Sequence, residues 1–300
     1  MTKKRWLILI SFLLIIVVAV FSILQLPYFQ LSSEQREREE ALREQITPKA
    51  GENEEDTEDH ESEEVMGDAE EQENEPLAVN ETLENTFEFT PEDDVNIVAL
   101  GDSLTQGVGD DTNQGGYVGI LDRTLQILDT NFHFDNFGKR GNRSDQLLNR
   151  LNEEPEIAAA LEEADIIIIT IGANDIMQVL KENIMDLEIS YFNDEQSSYE
   201  ARLHEIFDKI RSINTDASIY LLGVFNPFKN YFEDIPELDQ IIHNWNDTGR
   251  EVVHQNENST FVPIDDLFND TTVNLFAEDN FHPNYDGYYL MAERILEYFN

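Results

Sequence analysis

Ser103 lies in the run ALGDSLTQGVG, directly behind the apolar stretch 95–100. Asp279 and His282 stand three residues apart in DNFHPNYDGY near the other end of the chain. A serine at the tip of a strand, a histidine to take its proton and an aspartate to orient that histidine are the parts needed for nucleophilic attack on an acyl group. Glycines at 101, 107 and 109 suit a tight strand-to-helix turn that exposes a hydroxyl, and Pro283 restricts the backbone at the histidine. Taken singly, each residue has a blander role, Ser103 as a helix cap and His282 as a hydrogen-bond partner of backbone. The combination is what points to catalysis.

Other polar residues fall where such chemistry needs them. Asn174 follows a buried-looking run in IGAND. Its amide can donate to an oxygen that turns anionic during attack, beside the backbone N–H groups of Ser103 and Gly141. The alternative is a structural asparagine capping the next helix, although Asp175 is the better cap. Asp102 is expected to order the nucleophile loop rather than act as an acid. Tyr117, Phe225, Phe228, Tyr231 and Phe232 are candidates for lining an apolar acyl pocket, and aromatic residues after a strand serve packing as often. The glycine-rich turn has neither GxGxxG spacing nor a Walker lysine, so a nucleotide site is not expected. The six histidines, at 60, 133, 204, 243, 254 and 282, show no HExxH or similar ligand spacing. No metal or other cofactor is expected, and Asp110, Asp111, Asp265 and Asp266 form no calcium-loop pattern.

The elements that must bring these residues together read as alternating strands and helices. Strands are expected at 95–100, 132–137, 165–171, 218–224 and 261–264. Helices are expected at 115–128, around 144–151 with Ser144 as its cap, 156–163, 197–213, 238–256 and 285–299. ADIIIITIG is apolar on both faces and reads as a central parallel strand. The pattern gives an α/β fold, a three-layer doubly wound sandwich with a five-stranded parallel sheet, whose ligands sit at the carboxyl ends of the strands.

This domain occupies residues 91–300. Before it, residues 32–90 hold 22 acidic and 4 basic residues and few aromatics, the composition of a disordered spacer. Residues 1–31 carry Lys3, Lys4 and Arg5 ahead of an apolar segment from Trp6 to about Leu26, long enough to cross roughly 30 Å of hydrocarbon. Its exit, LQLPYF, lacks a small-x-small cleavage site. The expectation is a retained single-pass anchor with the basic tip in the cytoplasm and the domain outside, the alternative being secretion after cleavage. The absence of cysteine excludes a thiol nucleophile and disulfides. The net charge is −44, and residues 91–300 alone hold 41 acidic against 12 basic residues, so the bias is global. Such a surface repels nucleic acid, and it resembles exported proteins of salt-tolerant bacteria. A monomer is expected.

Four blocks in order then resemble the SGNH (GDSL-type) hydrolases, and most of all the membrane-associated GDSL-type lipase/esterase proteins of Bacillus-like bacteria. GDSLTQG resembles the block that carries the nucleophile, implying Ser103. NFGKRGNRS resembles the second, implying Gly141 rather than Gly138 as an oxyanion donor. Gly172-Ala173-Asn174-Asp175 resembles the third and implies Asn174 as another. Asp279-Asn280-Phe281-His282-Pro283 resembles the last, implying the base and its orienting acid. The resemblance implies a serine esterase or lipase acting on a small-molecule or lipid ester. Alternatives are an O-acetyl deacetylase or transferase working on cell-surface glycan, and an inactive anchored binding module. Lys139 and Arg140 depart from the family pattern and can either meet an anionic substrate group or be plain surface residues. Residues 181–199 look like an excursion near the site.

Overall fold

The computed structural model describes residues 94–126, 131–183, 185–186, 188–227, 236–269 and 273–299. The expected membrane segment, the acidic spacer, Phe228, Tyr231 and Phe232 lie outside the described residues. No helix among those described is long and apolar enough to cross a membrane.

Five strands form one parallel sheet in the order β2-β1-β3-β4-β5. They are β1 (Asp94–Gly101), β2 (Asn131–Gly138), β3 (Ile166–Thr170), β4 (Ser218–Leu222) and β5 (Ser259–Val262). The strand order reverses at β1, so the crevice between the carboxyl ends of β1 and β3 is the topological switch point where α/β sheets bind ligands.

The helices cover both faces, and the sheet assigns its side chains by strict alternation. Val95, Ile97 and Ala99 of β1 and Ile166 and Ile168 of β3 join one core with Tyr117, Ile120, Leu121 and Leu125 of α2 (Gly116–Leu125) and Tyr288, Met291 and Ile295 of α8 (Tyr285–Tyr298). Val98, Leu100, Ile167 and Ile169 face the opposite way. There they meet α3 (Ser144–Glu153), α4 (Pro155–Glu162), α5 (Ala173–Glu182), α6 (Ile189–Ile213) and α7 (Pro236–His254). The four-isoleucine run thus divides its side chains between two cores, which is why it shows no helical or amphipathic period. α1 (Ser103–Gln106) is one short turn behind β1.

Three elements differ from expectation. α6 begins at Ile189, not near residue 197, because Phe192 continues the buried stripe seven residues ahead of Tyr199. The intervening Asn193, Asp194, Glu195 and Gln196 hide that period in the sequence, and most of the expected excursion is therefore helix. Ser144 is the first residue of α3 and not its cap, and Asp175 does not cap α5, whose cap position is Gly172. The buried Asp175 carboxylate instead accepts from the Ser144 N–H at 3.1 Å and hydroxyl at 2.6 Å, and from Arg202 of α6 at 3.2 Å. One charge thereby holds three helices, and the first N–H of α3 is satisfied from a neighbouring helix.

Candidate active site

The turn at the end of β1 is closed by backbone. Asp102 N–H donates to the carbonyl of Thr170 at the end of β3, and its Oδ1 accepts from Leu104 N–H at 2.9 Å, capping α1. Ser103 is the first residue of that helix and only 4% exposed. Gly101 makes the approach of the two strands possible. A Cβ there would fall 2.3 Å from the Thr170 carbonyl, at a φ of +148°.

The opposing wall is the loop before α8. Phe276 and Pro283 form an antiparallel bridge, Ala277 N–H donates to the His282 carbonyl at 2.8 Å, and Asn280 sits at φ 52°, a left-handed position that asparagine tolerates. Asp279 Oδ1 accepts from the N–H groups of Phe281 and His282 at 3.0 and 2.9 Å. Its Oδ2 faces His282 Nδ1 at 2.6 Å, and His282 Nε2 faces Ser103 Oγ at 2.9 Å. A carboxylate only accepts, so Nδ1 carries the hydrogen and Nε2 presents its lone pair to the serine hydroxyl. Burial by itself raises the Asp279 carboxyl, but the His282 hydrogen bond and charge together with the two backbone N–H groups hold it below the usual carboxylate range.

Ser103, Asp279 and His282 are therefore in line, although serine and histidine are 179 positions apart in sequence. Asn174 opens α5 beside them, and its Nδ2 donates to the Asn142 carbonyl at 3.0 Å and to Asp102 Oδ2 at 3.4 Å. Gly141 is in the turn that precedes Asn142, at φ +79°, so the carbonyl that holds Asn174 belongs to the residue next to it. Gly172 supports this arrangement from the cap position of α5, with the Tyr199 ring 3.1 Å from where a Cβ would stand. Asp102 is buried, and desolvation pushes its carboxyl up to about 6. Beneath it runs a chain of hydroxyls, Thr170 to Asp102 Oδ1 at 3.1 Å, Thr105 to Thr170 at 2.7 Å and Tyr117 to Thr105 at 2.8 Å.

That chain corrects one expectation. Tyr117 is fully buried in the α2 core with its hydroxyl on Thr105, and does not line the cleft. The helical period that places it with Ile120 and Leu121 turns it toward the sheet. Phe225 does line the cleft, and it also stacks on Phe268 at 4.0 Å. The cleft opens at Ser103 and is walled by Leu104, Ile176, Met177, Leu180, Phe192 and Ile241, among other mostly apolar side chains. The α5 and α6 contributors were not expected. Their signal was the Ile176, Leu180 spacing of an amphipathic helix leaving the strand end. Lys139 and Arg140 are exposed and held by their backbone, Lys139 N–H on Gly101 and Arg140 N–H on Gln106. Arg140 borders a second groove, which it lines with Asp111, Glu278, Asn280 and Asp279 itself. Asp110 is buried, its carboxylate accepting from Thr112, Gln114 and Gly116 within its own loop.

Residues 99–290 match the model of the GDSL-like Lipase/Acylhydrolase family. The uncharacterized protein YpmR of Bacillus subtilis (strain 168) is 31% identical over 226 residues, 73% of this chain and 86% of that protein. Spore germination lipase LipC of Bacillus licheniformis is 27% identical over 205 residues, covering 66% of this chain and 92% of that one. Among solved structures, the lipase Lip_vut3 from a goat rumen metagenome superposes with a TM-score of 0.59 at 26% identity, over 67% of this chain and 95% of its own. With the family match running from within β1 to within α8, this chain belongs to the GDSL-like lipase/acylhydrolase family and is a carboxylic ester hydrolase.

Proposed function

We propose that this chain is a serine esterase of the lipase type, which cleaves esters of apolar acids through an acyl-enzyme on Ser103. The observation that carries this reading is the unbroken hydrogen-bond line from Asp279 through His282 to Ser103, at 2.6 and 2.9 Å. His282 Nε2 takes the proton of Ser103 as its oxygen attacks the ester carbonyl, and Asp279 steadies the imidazolium. The N–H groups of Ser103 and Gly141 and the amide of Asn174 receive the oxyanion. His282 then gives its proton to the departing alcohol, and water attacks the acyl-enzyme by the same route in reverse.

The apolar walls of the cleft at Ser103 favour an acyl chain over an acetyl group, and so favour lipase-like hydrolysis over deacetylation of glycan. The test is an ester panel from acetyl to long acyl, with the Ser103→Ala variant as control. The expected result is a maximum at medium or long chains, loss of turnover in Ser103→Ala, and labelling of the wild type alone by a fluorophosphonate. A steep preference for acetyl sugars would remove the lipase reading. Wild-type turnover by Ser103→Ala would remove the acyl-enzyme.

A further inference from the structure

The amide of Asn174 has two N–H groups, and both are engaged in the resting site. One donates to the Asn142 carbonyl at 3.0 Å and the other to Asp102 Oδ2 at 3.4 Å. A carbonyl and a carboxylate are both acceptors, so they fix which end of the amide faces them. An oxyanion forming at the ester carbon must take one of these two hydrogens. The contact at 3.4 Å is the longer and weaker, and it is the one that yields at least cost.

Asp102 is held in place to offer that contact. Its Oδ1 accepts from Leu104 N–H at 2.9 Å and Thr170 Oγ1 at 3.1 Å, and the hydroxyls of Thr105 and Tyr117 brace Thr170 from behind. The carboxyl is 1% exposed, so water does not compete for the Asn174 hydrogen from that side.

We propose that Asp102 is a positioning residue for the oxyanion donor: its Oδ2 holds one N–H of Asn174 in the resting enzyme and releases it to the oxyanion as the ester is attacked. The inference rests on the oxyanion role of Asn174 given above. It makes Asp102 more than the cap of the nucleophile turn, and it ties that turn to the far wall of the site. Such a donor stabilises the transition state at little cost, because the amide stays anchored on the Asn142 carbonyl and only the acceptor of its other hydrogen changes as charge develops.

A double-mutant cycle separates positioning from plain structural support. In Asp102→Asn the amide oxygen is drawn to Leu104 N–H and Thr170, which turns the new NH2 group against the Asn174 NH2 and displaces it. With a p-nitrophenyl octanoate substrate, Asn174→Ala is expected to lower kcat about 100- to 1000-fold. Asp102→Asn alone should lower kcat on the order of 10- to 100-fold with KM within about twofold, the pattern of an interaction made in the transition state. The double variant should be no more than about threefold slower than Asn174→Ala, because the second change has nothing left to position. Losses that multiply, or a wild-type kcat in Asp102→Asn, would overturn the proposal. A wild-type kcat in Asn174→Ala would remove the oxyanion reading and this inference together, whereas multiplying losses leave that reading intact. Should Asp102→Asn fail to fold, Thr170→Val keeps the shape of strand β3 and removes one anchor of the carboxylate. Its loss of kcat, expected near threefold to tenfold, must likewise vanish in the Asn174→Ala background.

Discussion

The hydrogen on His282 is placed by a single oxygen, Asp279 Oδ2, and in the proposed mechanism the direction of proton transfer follows from it. Asp279→Asn replaces an acceptor by a donor at that position, drives the hydrogen to Nε2, and leaves the ring donating to Ser103 where it must accept. The expected loss in kcat is about 1000- to 10,000-fold with the fold retained, measured by steady-state ester kinetics beside a circular-dichroism melt. Asp102 is set by the opposite influence. Burial pushes its carboxyl from 3.8 up to about 6, so the folded state holds a proton there that the unfolded chain has already lost. Its contribution to stability is therefore complete below about pH 4 and is lost as the pH rises through about 6. Asp102→Asn removes this dependence. The unfolding free energy from urea titration should shift in favour of the variant between pH 4 and pH 7, by on the order of 3 kcal/mol at roughly 1.4 kcal/mol per pH unit. A constant difference across that range would show that the Asp102 charge is solvated. The three residues of the proton line are legible in the sequence as a combination, a serine behind the apolar run of β1 with an aspartate three residues ahead of a His-Pro pair. Thr105 and Thr170 are not, since a threonine in a strand or turn has no pattern that distinguishes a bracing hydroxyl from ordinary β propensity.

At the scale of elements, the nucleophile turn and the histidine loop meet across glycine. Gly109 has φ +98°, and a Cβ there would stand 2.5 Å from the Pro283 carbonyl and 2.7 Å from His282 Cβ. Gly109→Ala therefore pushes on His282, the proposed base. We expect kcat to fall at least about tenfold and stability by about 1–3 kcal/mol, the cost of a strained backbone conformation, read by kinetics and denaturant titration. Helix α5 acts on specificity in a different way, since Ile176, Met177 and Leu180 bring one side of it to the cleft. Leu180→Trp should fill that space and lower kcat/KM for octanoyl esters by more than about tenfold relative to acetyl esters, with acetyl turnover little changed. Strands β1 and β3 are readable because their apolar runs end at Gly101 and Thr170. The start of α6 was not, because Phe192 is separated from the next buried residue by polar side chains. The role of Ser144 was not, because its partner, Asp175, is distant in sequence and only folding makes them neighbours.

At the scale of the molecule, the catalytic domain is strongly anionic, with 41 acidic and 12 basic residues in positions 91–300. Like charges on one compact body repel, and salt with a Debye length of about 3 Å at 1 M screens them. The melting temperature of the domain from residue 91 should therefore rise between low salt and 1 M sodium chloride, and a flat response would mean that the charges are already locally compensated. The residues ahead of the domain carry the expectation of a membrane anchor with the enzyme outside. Protease added to intact cells should release the active domain while the anchor stays in the membrane fraction. Full protection from protease would reverse that orientation. Ser103 and His282 are neighbours in space but 179 positions apart in sequence, and Tyr288 of α8 seals the nucleophile turn by donating to the Val108 carbonyl. Synthesis runs from one to the other, so Ser103 is made well before His282. On the proposed mechanism, a growing chain stays inert toward esters until residue 282 has been made and α8 has docked behind the nucleophile turn.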